Sequence, residues 1–187
     1  MSAETFYKVL GRDGRSFHGG NGVWYKNRWR EVDGPLVPCR NGLHLCRAEH
    51  LLQWIGPTIW RAEYDGEMIE LDDKVVARRA RVTEKIEAWN ERTSRLFAAD
   101  CAERVLYLYE QEYPNDDRPR AAIQAARDFA EGRIDQAALD AARVAASAAE
   151  RDAAWTAARA AARAAAWDAE RGWQTQRLLD YLEGRAG

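Results

Sequence analysis

Between Ile134 and Glu170, alanine fills 19 of 37 positions. Alanine is the strongest helix former, because it loses no side-chain entropy in a helix and buries no polar group. Alanine pairs recur nearly every four residues, at 137–138, 141–142, 145–146, 153–154, 157–158, 161–162 and 165–166. Such small side chains let a neighbouring helix approach toward the short end of the ~8–10 Å interaxial range. This part of the chain is therefore expected to be a tightly packed helical bundle, with a projecting rod or a dimeric coil as alternatives. The run exceeds an ordinary globular helix, so a break is expected between Ser147 and Asp152, and Asp135 is placed to cap the start.

Helical grammar begins at residue 90. In "NERTSRLFAADCAERVLYLYEQEY", Leu96, Phe97, Ala99, Cys101, Val105, Leu106 and Leu108 form a broad apolar stripe. "PNDDRP" breaks it. "RPRAAIQAARDFAEG" then opens with a proline at a first helical position and ends at Gly132. Ile123, Ala126 and Phe129 or Ala130 form its inner face. "QTQRLLDYLEG" closes the chain with Leu178, Leu179 and Leu182 inward. There is no lysine in this half. Its arginines, such as Arg159 and Arg163 one turn apart, can cover an alanine surface with their stems or grip an acidic partner.

Residues 1–89 read differently, with short strands leading. "TFYKVL" is a strand turned by "GRDG"; "FHGGNG" is a glycine-rich loop; "NGLHLC" is a turn and a strand; "RAEHLLQWIG" is a short helix with Leu51, Leu52 and Ile55 inward. "TIWRAEYDGEMIEL" reads as a hairpin around Asp65-Gly66. "DDKVVARRARVTEKIEAW" is one long strand or a strand entering a helix. The fold expected is α+β: a small antiparallel β-rich part with one short helix over 1–89, then an alanine-rich helical domain over 90–187 packed on it.

With a formal net charge of -2 and 31% charged residues, the chain lacks the positive field of a sequence-independent nucleic-acid binder. Three cysteines do not make a disulfide scaffold. No uncharged apolar stretch reaches membrane-spanning length, and the N-terminus does not read as a signal peptide. A cytoplasmic protein of a bacterial host cell is expected.

Cys39, His44, Cys46 and His50 have the residue types of a zinc site, although C-x4-H-x-C-x3-H is not a common finger spacing. Packing residues are the favoured reading, and no cofactor is expected. "FHGGNG" offers backbone N–H groups that can cradle an anion, from Gly19, Gly20, Asn21 and Gly22, with Arg15, Arg40 and Arg47 nearby. It is neither a Walker A loop nor a dinucleotide fingerprint. His18 and His44, with Tyr25 and a carboxylate such as Glu63 or Glu67, are compatible with a small-ligand or nucleotide-binding enzyme. Trp24 and Trp29 are candidate exposed anchors, and Trp155, Arg159, Arg163 and Trp167 are candidate interface residues, since tryptophan and arginine favour interfaces.

"FYKVLGRDGRSFHGGNGVW", "LVPCRNGLHLCRAEHLLQWIG" and "RLFAADCAERVL", within roughly residues 5–110, resemble an uncharacterised domain family of bacteriophage and prophage proteins. "RPRAAIQAARDFAEGRI" and the alanine-arginine repeats that follow, about 118–170, resemble an alanine-rich helical immunity-protein family. Neither supplies a catalytic residue. The resemblance implies a phage-related, non-enzymatic protein that binds and inhibits or sequesters a bacterial protein, a host defence factor or a toxin. The ligand-binding enzyme and a homo-oligomeric scaffold, a homodimer through the alanine helices, remain alternatives.

Overall fold

The computed structural model describes residues 5–20, 22–153 and 160–186, with backbone only for 146–153 and 160–169. The fold is α+β, as the sequence implies. The elements run β1 (Phe6–Leu10), β2 (Arg30–Glu31), β3 (Leu43–Leu45), a 3-10 helix (Ala48–Trp54), β4 (Thr58–Glu70), β5 (Val75–Lys85), α1 (Glu91–Glu110), α2 (Arg118–Ala130), α3 (Gln136–Ala153) and α4 (Ala160–Leu182). Two compact units result: Met1–Asn90 with Leu178–Glu183, and Glu91–Arg177 with Gly184–Gly187.

In the sheet unit all strand pairs are antiparallel, in the order β1-β4-β5-β2, with β3 also on β5. β3 and β2 share one edge of β5: Leu43–Leu45 lie against Val75–Ala77, and Arg30–Glu31 against Arg79–Ala80. The sheet then rolls back on itself. The Tyr7 N–H donates to the Cys46 carbonyl at 2.8 Å, and the Cys46 N–H returns the bond to Tyr7 at 3.0 Å. β1 is thus bonded on both edges, by β4 and by the residue following β3. All five of its residues are buried. Phe6, Leu10, Trp24, Leu43, Leu45, Val75, Ala77 and Val82 belong to one core cluster.

Asp65-Gly66 does not turn the chain. β4 runs through it as a single 13-residue strand. Asp65 pairs with Arg79 and Met68 with Ala77, so β4 carries one extra residue, with Gly66 at φ +78°. This is a bulge. A bulge and a hairpin turn both need a left-handed residue, so the dipeptide alone does not separate them. The hairpin lies at Leu71–Lys74, where the Leu71 N–H donates to the Lys74 carbonyl at 2.9 Å. β5 is strand throughout its 11 residues. In the 3-10 helix Leu51 is buried, while Leu52 and Ile55 are only half-buried.

In the helical unit α1 packs on α2 and α2 on α3. Leu96, Phe97, Ala99 and Leu106 of α1 are buried, but Val105 and Leu108, expected inward, are exposed. The apolar stripe is wider than the face its neighbours cover. Gly132 follows α2 at φ +72°, its N–H donating to the Phe129 carbonyl at 3.0 Å. Ile123, Ala126 and Phe129 are half-buried. Asp135 caps α3 as expected: its Oδ1 accepts the Ala138 N–H at 2.9 Å. The break expected between Ser147 and Asp152 is not there, since α3 continues to Ala153. Nothing in that alanine-rich stretch opposes continuation. At the end of α4, Leu178, Tyr181 and Leu182 are buried, with Tyr181 taking the inward place expected of Leu179. No helix among the described residues is long and apolar enough to cross a membrane.

Candidate functional site

A cavity of about 490 Å³ opens in the sheet unit, walled by β1, β3, the glycine loop and the segment leading into β3. Strand alternation puts Lys8 on the face of Phe6 and Leu10, both buried core residues. Its side chain is therefore drawn inward, and the residue is only 9% exposed. The amine donates to the His44 carbonyl at 2.9 Å and stands 5.2 Å from the centre of the Trp24 ring. The Arg30 guanidinium lies 4.8 Å from the same ring. Trp24 is held in turn by its indole N–H, which donates to Ser16 Oγ at 3.1 Å. On the other side Lys74 stands 4.8 Å from the Trp54 ring, whose indole N–H donates to the Asp73 carbonyl at 2.9 Å.

The two histidines of this cavity have their tautomers set by their neighbours. The Cys39 N–H donates to His44 Nε2 at 3.3 Å, so a neutral His44 carries its proton on Nδ1. Desolvation first, then the charges of Lys8 and Lys74, hold its pKa below the ordinary histidine value. His18 Nε2 lies 2.7 Å from the Trp54 carbonyl and 3.3 Å from that of Ile55. Carbonyls only accept, so Nε2 carries the proton there.

Burial pushes the Lys8 amine down to about 8; the neighbouring Cys46 opposes this and Arg30 adds to it. Between that value and the unfolded value of 10.5 the folded chain binds fewer protons than the unfolded one. Lys8 therefore makes stability rise with pH across that window, and below it the buried charge is a standing cost. At about 1.4 kcal/mol per pKa unit, less the lost hydrogen bond, Lys8→Met is expected to stabilise the chain by about 1–2 kcal/mol at pH 7. Urea denaturation at pH 7 and pH 10 checks this: the gain should shrink at the higher pH.

His18, Gly19, Gly20, Cys39, Arg40, His44 and Cys46 all line this cavity. Trp24 lines it too, but as a buried residue and not the exposed anchor its glycine-rich surroundings suggest. Its ring is needed as the floor for two cations. Trp29 is half-buried, with Arg79 and Arg81 each 4.6 Å from its ring. Tyr25 is exposed and outside the cavity. Glu63 pairs with Arg81 at 2.7 Å and Glu67 with Arg78 at 2.5 Å on the β4–β5 ladder, away from the histidines. Gly22 is not among the lining residues, and Arg15 is outside them as well, paired with Asp13 at 3.5 Å. Arg47 and His50 line a separate cavity, where Arg47 meets Glu70 at 2.5 Å. Asn21, Trp155 and Arg159 lie outside the described residues, as do the side chains of Arg163 and Trp167.

The four cysteine and histidine residues of the possible metal set are thus split, three in one cavity and His50 in the other. Among the described residues no group of three or more His, Cys, Asp or Glu is arranged to hold a metal ion. Cys46 Sγ instead points to the Tyr7 carbonyl, 3.7 Å away, and burial pushes its thiol up to about 12. Cys101 is pushed up to about 11, by desolvation first and then by Asp100 and Glu170. Cys39 is exposed. At pH 8 an aromatic disulfide reagent is expected to label one thiol quickly, Cys39, and the other two only on unfolding. Peptide mapping identifies the labelled residue.

Reading the sequence missed Lys8, Arg30, Trp54 and Lys74. Lys8 had a signal, a lysine between Phe6 and Leu10 on the inward face of a short strand. The other three reach the cavity only through the roll of the sheet.

Residues 84–172, just under half of the chain, match the family described as Imm-5 like putative immunity protein. The match runs from the end of β5 through α1–α3 into α4, so it begins well before the alanine-rich part. No curated protein and no solved structure matches the chain.

Proposed function

We propose that this chain is an immunity-type inhibitor, in which residues 84–172 bind and block a toxin protein. The observation that carries the reading is the match to the Imm-5 like family over that segment. The helical unit supports it with an apolar surface inside the matched span. Val105, Tyr107 and Leu108 of α1 are exposed, as is Val144 of α3. Val105 and Leu108 are three residues apart and share one face of the helix. Exposed aromatic and aliphatic groups on a helix that already has an inner core are the usual material of an interface centre.

The resemblance of the N-terminal stretches to phage proteins adds a setting: a phage-borne inhibitor acting against a defence toxin of the host. The full chain, immobilised and exposed to a bacterial lysate that contains the toxin, is expected to retain one protein at a fixed ratio. Val105→Asp with Leu108→Asp should abolish that retention without loss of helix content. Retention unchanged in this double variant would sink the α1 assignment, and no retained protein would sink the inhibitor reading.

The enzyme alternative keeps one supporting observation, that His18 and His44 line a common cavity. The carboxylates and tyrosine assigned to it lie elsewhere, which removes its acid–base partners and leaves binding as the better reading of the cavity. The scaffold alternative rests on alanine-helix faces mostly outside the described side chains; light scattering that finds only monomer would remove it.

A further inference from the structure

We infer that Lys8 is a covalent attachment site for a small apolar aldehyde, which its amine takes up as an imine inside the cavity of the sheet unit. This stands apart from the inhibitor reading, which concerns the helical unit. The chain has four lysines, Lys8, Lys26, Lys74 and Lys85. Lys26 is exposed, and Lys74 and Lys85 are half-buried. Lys8 alone of the four is buried, on a strand of the core, and it lines the cavity.

Its surroundings suit the neutral amine. Among the described residues the amine has two partners, the His44 carbonyl at 2.9 Å and the Trp24 ring at 5.2 Å. An ammonium carries three N–H donors; a neutral amine carries two and a lone pair. Two N–H groups match these two acceptors, and the lone pair is left to the cavity. The charged form would strand a donor in a buried place, which is costly. Desolvation works in the same direction, with Arg30 of β2 adding to it and Cys46, just after β3, opposing it. His44 of β3, the titratable group whose carbonyl holds the amine, is itself kept below the ordinary histidine value. With its amine at about 8, roughly one Lys8 in ten is neutral at pH 7, against roughly one in three thousand at the ordinary 10.5. The neutral, desolvated amine is the form of lysine that attacks carbonyl groups.

The step balances with no further reagent. The lone pair forms a C–N bond to the aldehyde carbon, and the carbonyl π pair moves onto oxygen. One amine proton follows it, which gives a carbinolamine. Its hydroxyl then leaves with the second amine proton as water, and a C=N bond remains. The cavity has room for the body of such a molecule, since about 490 Å³ falls within the usual range of small-molecule sites. Trp24, Trp54, Leu43 and Leu45 are among its walls, and they favour an apolar body over a hydrated one.

The test treats the full chain at pH 7 with benzaldehyde and sodium cyanoborohydride, which reduces an imine to a stable secondary amine, and maps the product by peptide mass spectrometry. Lys8 is expected to take up the label at least tenfold faster than Lys26, Lys74 or Lys85. The α-amino group titrates near 8 as well and is mapped apart from the lysines. In urea the preference for Lys8 should vanish, because it comes from the fold. Lys8→Met should leave only the slow labelling of the other three lysines. Trace acetylation with acetic anhydride from pH 6 to pH 10 should give a Lys8 rate that is half-maximal near pH 8. Labelling of Lys8 no faster than that of the other lysines, or a Lys8 rate still climbing steeply at pH 10, would overturn the proposal. Glyceraldehyde, whose body is polar, reacting at Lys8 as fast as benzaldehyde would overturn its apolar part. The Val105→Asp, Leu108→Asp variant should be labelled normally, which separates this site from the toxin surface.

Discussion

Asp100→Ala is expected to destabilise the helical unit by about 2–4 kcal/mol, toward the lower part of what breaking one side of a buried ion pair costs. Asp100 is 8% exposed, in the middle of α1. One oxygen lies 2.7 Å from Arg127 of α2, and the other accepts from Arg177 of α4 at 2.8 Å. A single carboxylate thus ties three helices. Removing it takes a carboxylate from both guanidiniums, with Arg127 keeping Glu103 at 2.7 Å. Burial works against the Arg127 charge, yet Asp100 and Glu103 hold its pKa above the ordinary arginine value. The two arginines are partly wet, with 24% and 33% of their side chains exposed, so the full cost of a stranded buried charge does not apply. Asp100→Asn keeps the shape and one accepting oxygen, and about half of the loss is expected. Urea denaturation followed by the helical circular dichroism signal measures both. A change under about 0.5 kcal/mol for the alanine variant would place Asp100 among ordinary surface pairs.

The cost of Asp100 shows one limit of reading this chain as letters. Its aspartate sits in "RLFAADCAER", where the apolar stripe is visible but its ionic centre is not. The arginines that complete it come 27 and 77 positions later. What was legible followed from local rules. The alanine run gave helices, Asp135 gave a cap, and Gly132 gave a helix end, because each needs only neighbours in sequence. Asp65-Gly66 misled, since its left-handed glycine serves a bulge as readily as a turn. The break expected between Ser147 and Asp152 is not there, because length alone says that a helix ends and not where. The cavity was half legible. "FHGGNG" and "CRNGLHLC" pointed to His18, Gly19, Gly20, Cys39, Arg40 and His44. Lys8 comes to it on β1, whose pairing with Cys46 joins residues 39 apart.

Gly42→Ala should be the most damaging single-atom change in the sheet unit, costing about 3–5 kcal/mol, as strain and overpacking of roughly 1–3 kcal/mol each add. Gly42 has φ +149°, a conformation that L side chains rarely adopt. A methyl group there would lie 2.2 Å from Val76 Cγ1, and something must shift. Val76 cannot easily yield. It is fully buried in β5, between the partners Ile69 of β4 and His44 of β3. Relief must come from the glycine side, by lifting the start of β3 off β5. That movement would carry His44 and Cys39, and with them the roof of the cavity and the carbonyl that holds Lys8. Gly66→Ala is the control. It also has a positive φ, +78°, but its added methyl would meet nothing within 4 Å. It should cost only the left-handed penalty, about 1–2 kcal/mol. Thermal denaturation of the two variants side by side separates strain from collision. If Gly42→Ala loses no more than Gly66→Ala, β3 is less tightly seated on β5 than its register implies. If it loses the larger amount, the loss should come from the sheet unit while the helical unit keeps its signal.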